Sequence, residues 1–251
     1  MIHYHGTPIS GASTVGYAAL KNAHACVSYA CMDAFPTVME HCSSFMFDNG
    51  AFSFWKSGTP TNWNEFYSIV GDLIRVPHFD WFLCPDVIDG TAEDNDALLL
   101  DNPYPKHYSV PVFHLHEPID RVVRLAHEYP RIALGSSAEY SKIGTVKWHS
   151  RMREIFSAIT DKQGRPICKV HGLRMLDPKI YTQYCFSSCD STNLARNVGI
   201  DKAWTGGYAP ASKEVRATVL RERIEQYQSP MFFDRANTMV QVEIDLFGMA
   251  A

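Results

Sequence analysis

The sequence predicts an α/β fold: a TIM-type (β/α)8 barrel with a short helix-plus-strand extension at its C-terminal end. Three observations predict it. Short apolar runs recur eight times between residues 2 and 186, and helical or turn-rich stretches separate most of them. The length of 251 residues matches the roughly 250 that such a barrel needs. Strand alternating with helix argues for parallel pairing, because a parallel connection must cross back over the sheet. An open doubly wound sheet is the competing arrangement.

The elements follow in order. Residues 2–5 and 25–29 are the first two predicted strands, and residues 44–47 the third, ending in the turn signal Asp48-Asn49-Gly50. Residues 62–74 read as a helix, with Trp63, Phe66, Tyr67, Val70 and Ile74 at roughly helical spacing. Residues 79–84 and 110–115 are the fourth and fifth strands. Residues 118–129 form a helix that opens on proline, with Val122, Val123 and Ala126 on one side. Residues 131–134 are the sixth strand, and residues 146–159 a helix carrying Trp148, Met152, Ile155, Phe156 and Ile159. Residues 167–170 and 184–186 complete the eight strands. Beyond them, residues 212–227 form an amphipathic helix with Val215, Val219, Leu220, Ile224 and Tyr227 on its apolar side. Residues 240–246 then alternate apolar and polar, which predicts one half-buried strand packed on the barrel or on a partner subunit, and so hints at a homodimer. No internal repeat or linker breaks the chain, so residues 1–251 are read as a single domain, with the extension at about 200–251.

Composition narrows the function. A net charge of −4 and a pI of about 6.2 exclude a generally basic nucleic-acid binder, so any such contact needs a local patch. The seven cysteines show no zinc-finger spacing; Cys185 and Cys189 are close, but no second pair matches them. They read as reduced thiols of a cytoplasmic protein. No apolar run reaches the roughly 18 residues that a membrane span needs, and the first residues do not look like a leader.

In a parallel barrel, chemistry sits just beyond the strands. The polar residues there include His5, Asp48, Asp86, His114, His116, Ser136, His171 and Asp190. Asp48 can be a plain turn residue. Its aromatic neighbours Phe47, Phe52, Phe54 and Trp55 suggest instead a surface that stacks a planar base and raises the carboxyl's pKa by desolvation. A carboxylate at Asp86 can accept two parallel hydrogen bonds from the N1–H and 2-amino edge of a guanine-like base. Asp89 reads as the start of a turn and cap. Gly135-Ser136-Ser137 lets a ligand approach the backbone. His171 is either a core histidine or a site residue. Asp190 can cap a helix or act as a nucleophile whose anion the helix start favours. Two positive groups offer phosphate contacts: Lys142, Lys147, Arg151 and Arg153 beside Trp148 and His149, and Arg196, Lys202, Lys213, Arg216, Arg221 and Arg223. Interspersed glutamates also fit plain solvated helix faces.

Taken in order, Asp48 in Phe47-Asp48-Asn49-Gly50-Ala51-Phe52-Ser53, Asp86, the Gly135 loop, His171-Gly172 and Asp190-Ser191-Thr192-Asn193 resemble the tRNA-guanine transglycosylase superfamily. The resemblance covers roughly residues 44–197. It is closer to the short DNA-modifying branch found in phages and bacteria, which inserts 7-deazaguanine derivatives into DNA. The resemblance implies a (β/α)8 barrel and no cofactor. It makes Asp190 the nucleophile on the sugar C1′, Asp48 the general acid/base and Asp86 the reader of the guanine face, with Gly135 and Ser136 on the base's other side. DNA and a base such as 7-cyano-7-deazaguanine are the implied partners, and the cytoplasm (the host's, if phage-encoded) the implied location. The tRNA enzymes carry a cysteine-rich zinc subdomain after the catalytic aspartate. No cysteine follows Cys189, so no metal is expected and tRNA is the less favoured substrate. Gly135-Ser136-Ser137 stands where the family has a Gly-Gly loop.

A second reading starts from His3, His5, His114, His116 and Asp190. Amidohydrolase-type barrels place histidine pairs and an aspartate around a hydrolytic metal. A catalytically silent nucleobase binder is a third.

Overall fold

The computed structural model describes residues 1–8, 13–198 and 209–236. Among the described residues nine strands form one all-parallel sheet: β1 (Ile2–Gly6), β2 (His24–Ser28), β3 (Ser44–Asp48), β4 (Phe79–Leu83), β5 (Ser109–Val110), β6 (Val112–His114), β7 (Arg131–Gly135), β8 (Lys169–Gly172) and β9 (Ser188–Ser191). The order across the sheet is β5-β4-β3-β2-β1-β9-β8-β7-β6. Its two end strands are one stretch of chain interrupted at Pro111. Proline has no N–H to give to a ladder, but its carbonyl still accepts from Ala133 N at 2.9 Å. The stretch therefore pairs with β4 on one side and β7 on the other, and the sheet curls into a nearly closed barrel. This is compatible with the TIM-type arrangement expected from the sequence.

Ten helices are seen among the described residues: α1 (Ser13–Leu20), α2 (Phe35–His41), α3 (Ala51–Ser57), α4 (Trp63–Leu73), α5 (Ala92–Leu100), α6 (Ile119–Glu128), α7 (Val146–Ala158), α8 (Pro178–Tyr181), α9 (Asn193–Asn197) and α10 (Lys213–Glu225). Strand alternation divides the core. Tyr4, Met46, Trp81 and Val112 join one buried cluster, while Phe45 and Phe47 pack under Phe66, Val70 and Leu73 of α4. A second helix-covered cluster joins Val122 and Leu125 of α6 to Met152, Ile155 and Phe156 of α7.

Three strand predictions shift. The fifth is split at Pro111, and the seventh starts at Lys169 rather than at 167. The eighth is Ser188–Ser191, not residues 184–186. Tyr184 and Phe186 instead pack with Phe156. The apolar run marks that aromatic cluster, while the strand itself is buried and polar.

The C-terminal helix forms as predicted, but its buried residue is Ala217. Leu220 and Ile224 pack against the core clusters, whereas Val215 and Tyr227 are each 49% exposed. The helix is clamped by polar contacts: His5 Nε2 to Glu225 Oε1 at 2.9 Å, and Arg221 donating to the carbonyls of Ala19 and Lys21 at 3.2 and 2.8 Å. The predicted strand at 240–246 lies outside the described residues, as does Lys202.

A buried charge network fixes the end of β6. Arg121 donates to Glu117 at 2.6 Å, to Asp96 at 2.9 Å and to the Val112 carbonyl at 2.9 Å. Glu117 in turn accepts from His114 N at 2.9 Å. The pairing satisfies two charges that burial alone would penalise heavily.

Candidate active site

Parallel pairing sends the carboxyl end of each strand to one face. There a cavity of about 410 Å³ opens, lined by Asp48, Asp86, His114, Gly135, Ser136 and Asp190 among others. That volume suits a small ligand such as a nucleobase with its sugar.

Asp48 is the last residue of β3. Gly50 follows in the left-handed region, φ 73°, and starts α3. A Cβ at Gly50 would lie 2.9 Å from Ala30 N. Strain and clash combine, so Gly50→Ala is expected to destabilise the fold by about 1–3 kcal/mol, measured by chemical denaturation. A cost below about 0.5 kcal/mol would contradict this account of the turn.

Burial pushes the Asp48 carboxyl up to about 7, helped by the charges of Asp190 and Asp86; the Ser28 hydroxyl and the Gly50 amide pull the other way. The folded state holds this proton more tightly than the unfolded chain, so stability is full below the ordinary carboxyl range. It is lost as pH rises through that range and up to about 7. Asp48→Asn is therefore expected to raise the melting temperature by several degrees above pH 7 and to leave it unchanged near pH 4. A pH-independent difference would contradict this.

Asn49 is buried and ties two strand ends together. Its Nδ2 donates to the Cys84 carbonyl and to Asp86 Oδ1, both at 2.6 Å, while its Oδ1 accepts from Ala51 N at 2.8 Å. The other Asp86 oxygen lies 2.9 Å from His114 Nε2, outside hydrogen-bond geometry. Asp86 is thus held by Asn49 on one oxygen and lies against the His114 ring with the other, and both oxygens keep lone pairs for a ligand.

Asp190 lies within β9, opposite Tyr4 of β1, and is buried. Its Oδ1 accepts from Arg174 N at 2.9 Å and sits 3.2 Å from His171 Nε2. Among the described residues no donor reaches Oδ2, which leaves that oxygen for chemistry.

His171, expected against a base, is fully buried behind Asp190 and is not among the residues lining the cavity. Burial lowers its pKa, against the opposing hydrogen bond to Asp190. Its Nδ1 is 2.9 Å from Ser188 Oγ, which accepts from Arg131 at 3.1 Å. The Asp190 carboxylate can only accept, so the ring N–H faces it and Nδ1 of the neutral ring accepts from the Ser188 hydroxyl. That assigns the proton to Nε2, aimed at Asp190.

Ser136 Oγ accepts from Trp148 Nε1 at 2.9 Å and still lines the cavity, as does Gly135. Phe52 is 42% exposed at the cavity wall, with Trp55 beside it at 50%. Asp89 leaves the capping to Thr91, whose side chain accepts from Asp94 N.

The expected phosphate contacts divide. Arg196 is exposed and lines the cavity. Lys142 and Lys147 are exposed but do not line it, and Lys147 sits over the Tyr140 ring at 5.3 Å. Arg151 is committed elsewhere. It donates to the Leu115 carbonyl at 2.7 Å and to the Glu117 carbonyl, and pairs with Glu154 at 2.6 Å. Trp148 and His149 are buried. Lys56 and Arg174 line the site and escaped the sequence reading, and Asn49 and Thr192 entered it only as members of motifs.

The metal-hydrolase reading meets a geometric obstacle. Tyr4 packs with Trp81, Met46 and Val112, while its neighbours His3 and His5 turn the other way, to Tyr227 O and to Glu225. His116 bonds Ser137 at 2.7 Å. Among the described residues no group of three or more His, Cys, Asp or Glu side chains is placed to hold a metal.

Comparisons with protein-family models, curated proteins and solved structures give no match to this chain. The cavity's own chemistry is therefore the guide to function.

Proposed function

We propose that this protein is a base-exchange glycosyltransferase that replaces guanine in DNA with a 7-deazaguanine derivative. The finer fold that goes with this reading is a TIM-type (β/α)8 barrel, one domain with a C-terminal extension and without a zinc subdomain. One observation carries the proposal: a single cavity holds a carboxyl raised to about 7 and a second carboxylate with one oxygen held and, among the described residues, no donor on the other. Two such groups are what glycosidic exchange through a covalent intermediate requires.

The steps balance. Asp190 Oδ2 attacks C1′ of a deoxyguanosine through an oxocarbenium-like transition state. The C1′–N9 bond breaks and its electron pair goes to N9, which takes the proton from Asp48. Guanine leaves, and a sugar–Asp190 ester remains. A 7-deazaguanine base such as 7-cyano-7-deazaguanine enters and gives its N9 proton to Asp48. N9 attacks C1′, the ester bond breaks, and the carboxylate is restored. Two inversions give net retention. Asp86 reads the N1–H and 2-amino edge, and the Gly135-Ser136 segment contacts the base opposite. The target nucleotide must leave the base stack to enter such a cavity.

The first test omits the incoming base. Protein incubated with guanine-containing oligonucleotide is expected to give a denaturation-resistant adduct, seen as a mass increase equal to the strand less guanine. Release of guanine with no adduct at any time point would contradict the covalent route.

A further inference from the structure

The cavity separates its charges. Its acidic lining residues are Asp48, Asp86 and Asp190, while its cationic ones are Lys56, Arg174 and Arg196, all three exposed. Carboxylates repel phosphate, so a phosphorylated ligand can enter only with its anionic part at the exposed end and its base and sugar innermost.

Arg174 stands out within this set. Its backbone has φ +61°, a conformation that non-glycine residues rarely adopt and that tends to persist where function requires it. That conformation accompanies its N–H on Asp190 Oδ1 at 2.9 Å. The guanidinium lies over the Phe52 ring at 4.7 Å. Phe52 and Lys56 are four residues apart on α3, hence on one face of the helix. Aromatic surface beside cations is the pattern that holds single-stranded nucleic acid, by stacking and by phosphate neutralisation.

We infer that Lys56, Arg174 and Arg196 form a phosphodiester-binding rim, with Phe52 and Trp55 as its stacking surface, and that the ligand taken there is a nucleic-acid strand with one nucleotide turned into the cavity. The inference rests on the base-exchange reading and names the substrate contacts of that same site. It displaces Arg151 and the Lys142–Lys147 pair as the principal backbone contacts.

The test uses full-length protein carrying Asp190→Asn, which binds without reacting. Fluorescence anisotropy measures its affinity for a labelled, guanine-containing single strand between about 50 and 200 mM salt. Adding Lys56→Gln, Arg174→Gln and Arg196→Gln together is expected to weaken binding at least about ten-fold at the low-salt end. The dependence of log affinity on log salt should become shallower by about 2, at roughly 0.7 for each phosphate no longer neutralised. Binding of free 7-cyano-7-deazaguanine, followed by calorimetry, should survive and show that the cavity floor is intact. Lys142→Gln with Lys147→Gln should change the slope by less than about 0.7. Unchanged affinity and slope in the triple variant would overturn the rim. Should the triple variant also lose base binding, Arg196→Gln alone decides: a slope shallower by about 0.7 supports the rim, and an unchanged slope overturns it. Rim-dependent strand binding without any base binding would sink the exchange reading and leave the rim standing. Base binding with rim-independent strand binding would do the reverse.

Discussion

Asp190→Ala is expected to abolish base exchange, by at least about 10³-fold or roughly 4 kcal/mol of barrier, and to remove the covalent adduct entirely. The size follows from the role. Among the described residues, no other carboxylate in the cavity has a backbone N–H and an imidazole on one oxygen and no donor on the other. The fold should survive the change at a cost of about 1–3 kcal/mol, because Arg174 N can turn to water at the cavity edge while the buried His171 Nε2 loses its acceptor. Far-UV circular dichroism and free-base binding should therefore match wild type. A variant that retains adduct formation would remove Asp190 from the mechanism.

The second large effect concerns Asp48 and pH. In the proposed mechanism guanine departs with a proton from Asp48, so the first half-reaction needs the protonated form. With the carboxyl held up to about 7 by burial and by two neighbouring carboxylates, guanine release should be fast below pH 7 and fall as pH rises above it. The second half-reaction needs the ionised form and should rise over the same range. The overall rate is then expected to peak near neutrality. Asp48→Asn should lower both half-reactions by about 10²–10⁴-fold and flatten the limb near pH 7. A variant that keeps the limb would assign the titration to another group.

Much of the architecture could be read from periodicity, because buried parallel strands are apolar and short, and their helices show one greasy face. Phe45, Met46 and Phe47 announce β3, and Trp63, Phe66 and Val70 announce α4. Periodicity fails at Ser188–Ser191 for a physical reason. A buried strand made of Ser188, Cys189, Asp190 and Ser191 lacks the apolar signal by which buried strands are read, whereas the nearby Tyr184 and Phe186 carry it. Asp48, Asp86 and Asp190 were visible because carboxylates after apolar runs are costly unless used or paired. Asn49 looked like a turn residue and proved to be the brace between Asp86 and the Cys84 carbonyl. Arg174 gave no signal, since a positive φ at a non-glycine residue leaves no trace in composition. Arg151 misled because a cation on a helix looks the same in sequence whether it faces solvent or caps buried carbonyls.

The most direct measurement is incubation of the purified protein with 7-cyano-7-deazaguanine and guanine-containing DNA, followed by nuclease digestion and mass analysis of the nucleosides, with tRNA treated in parallel. The account predicts a 7-deazaguanine deoxynucleoside from DNA and none from the Asp190→Ala protein. A product in tRNA alone would contradict the assignment to DNA. No modified nucleoside in either polymer, across cyano, aminomethyl and amidino forms of the base, would contradict base exchange itself.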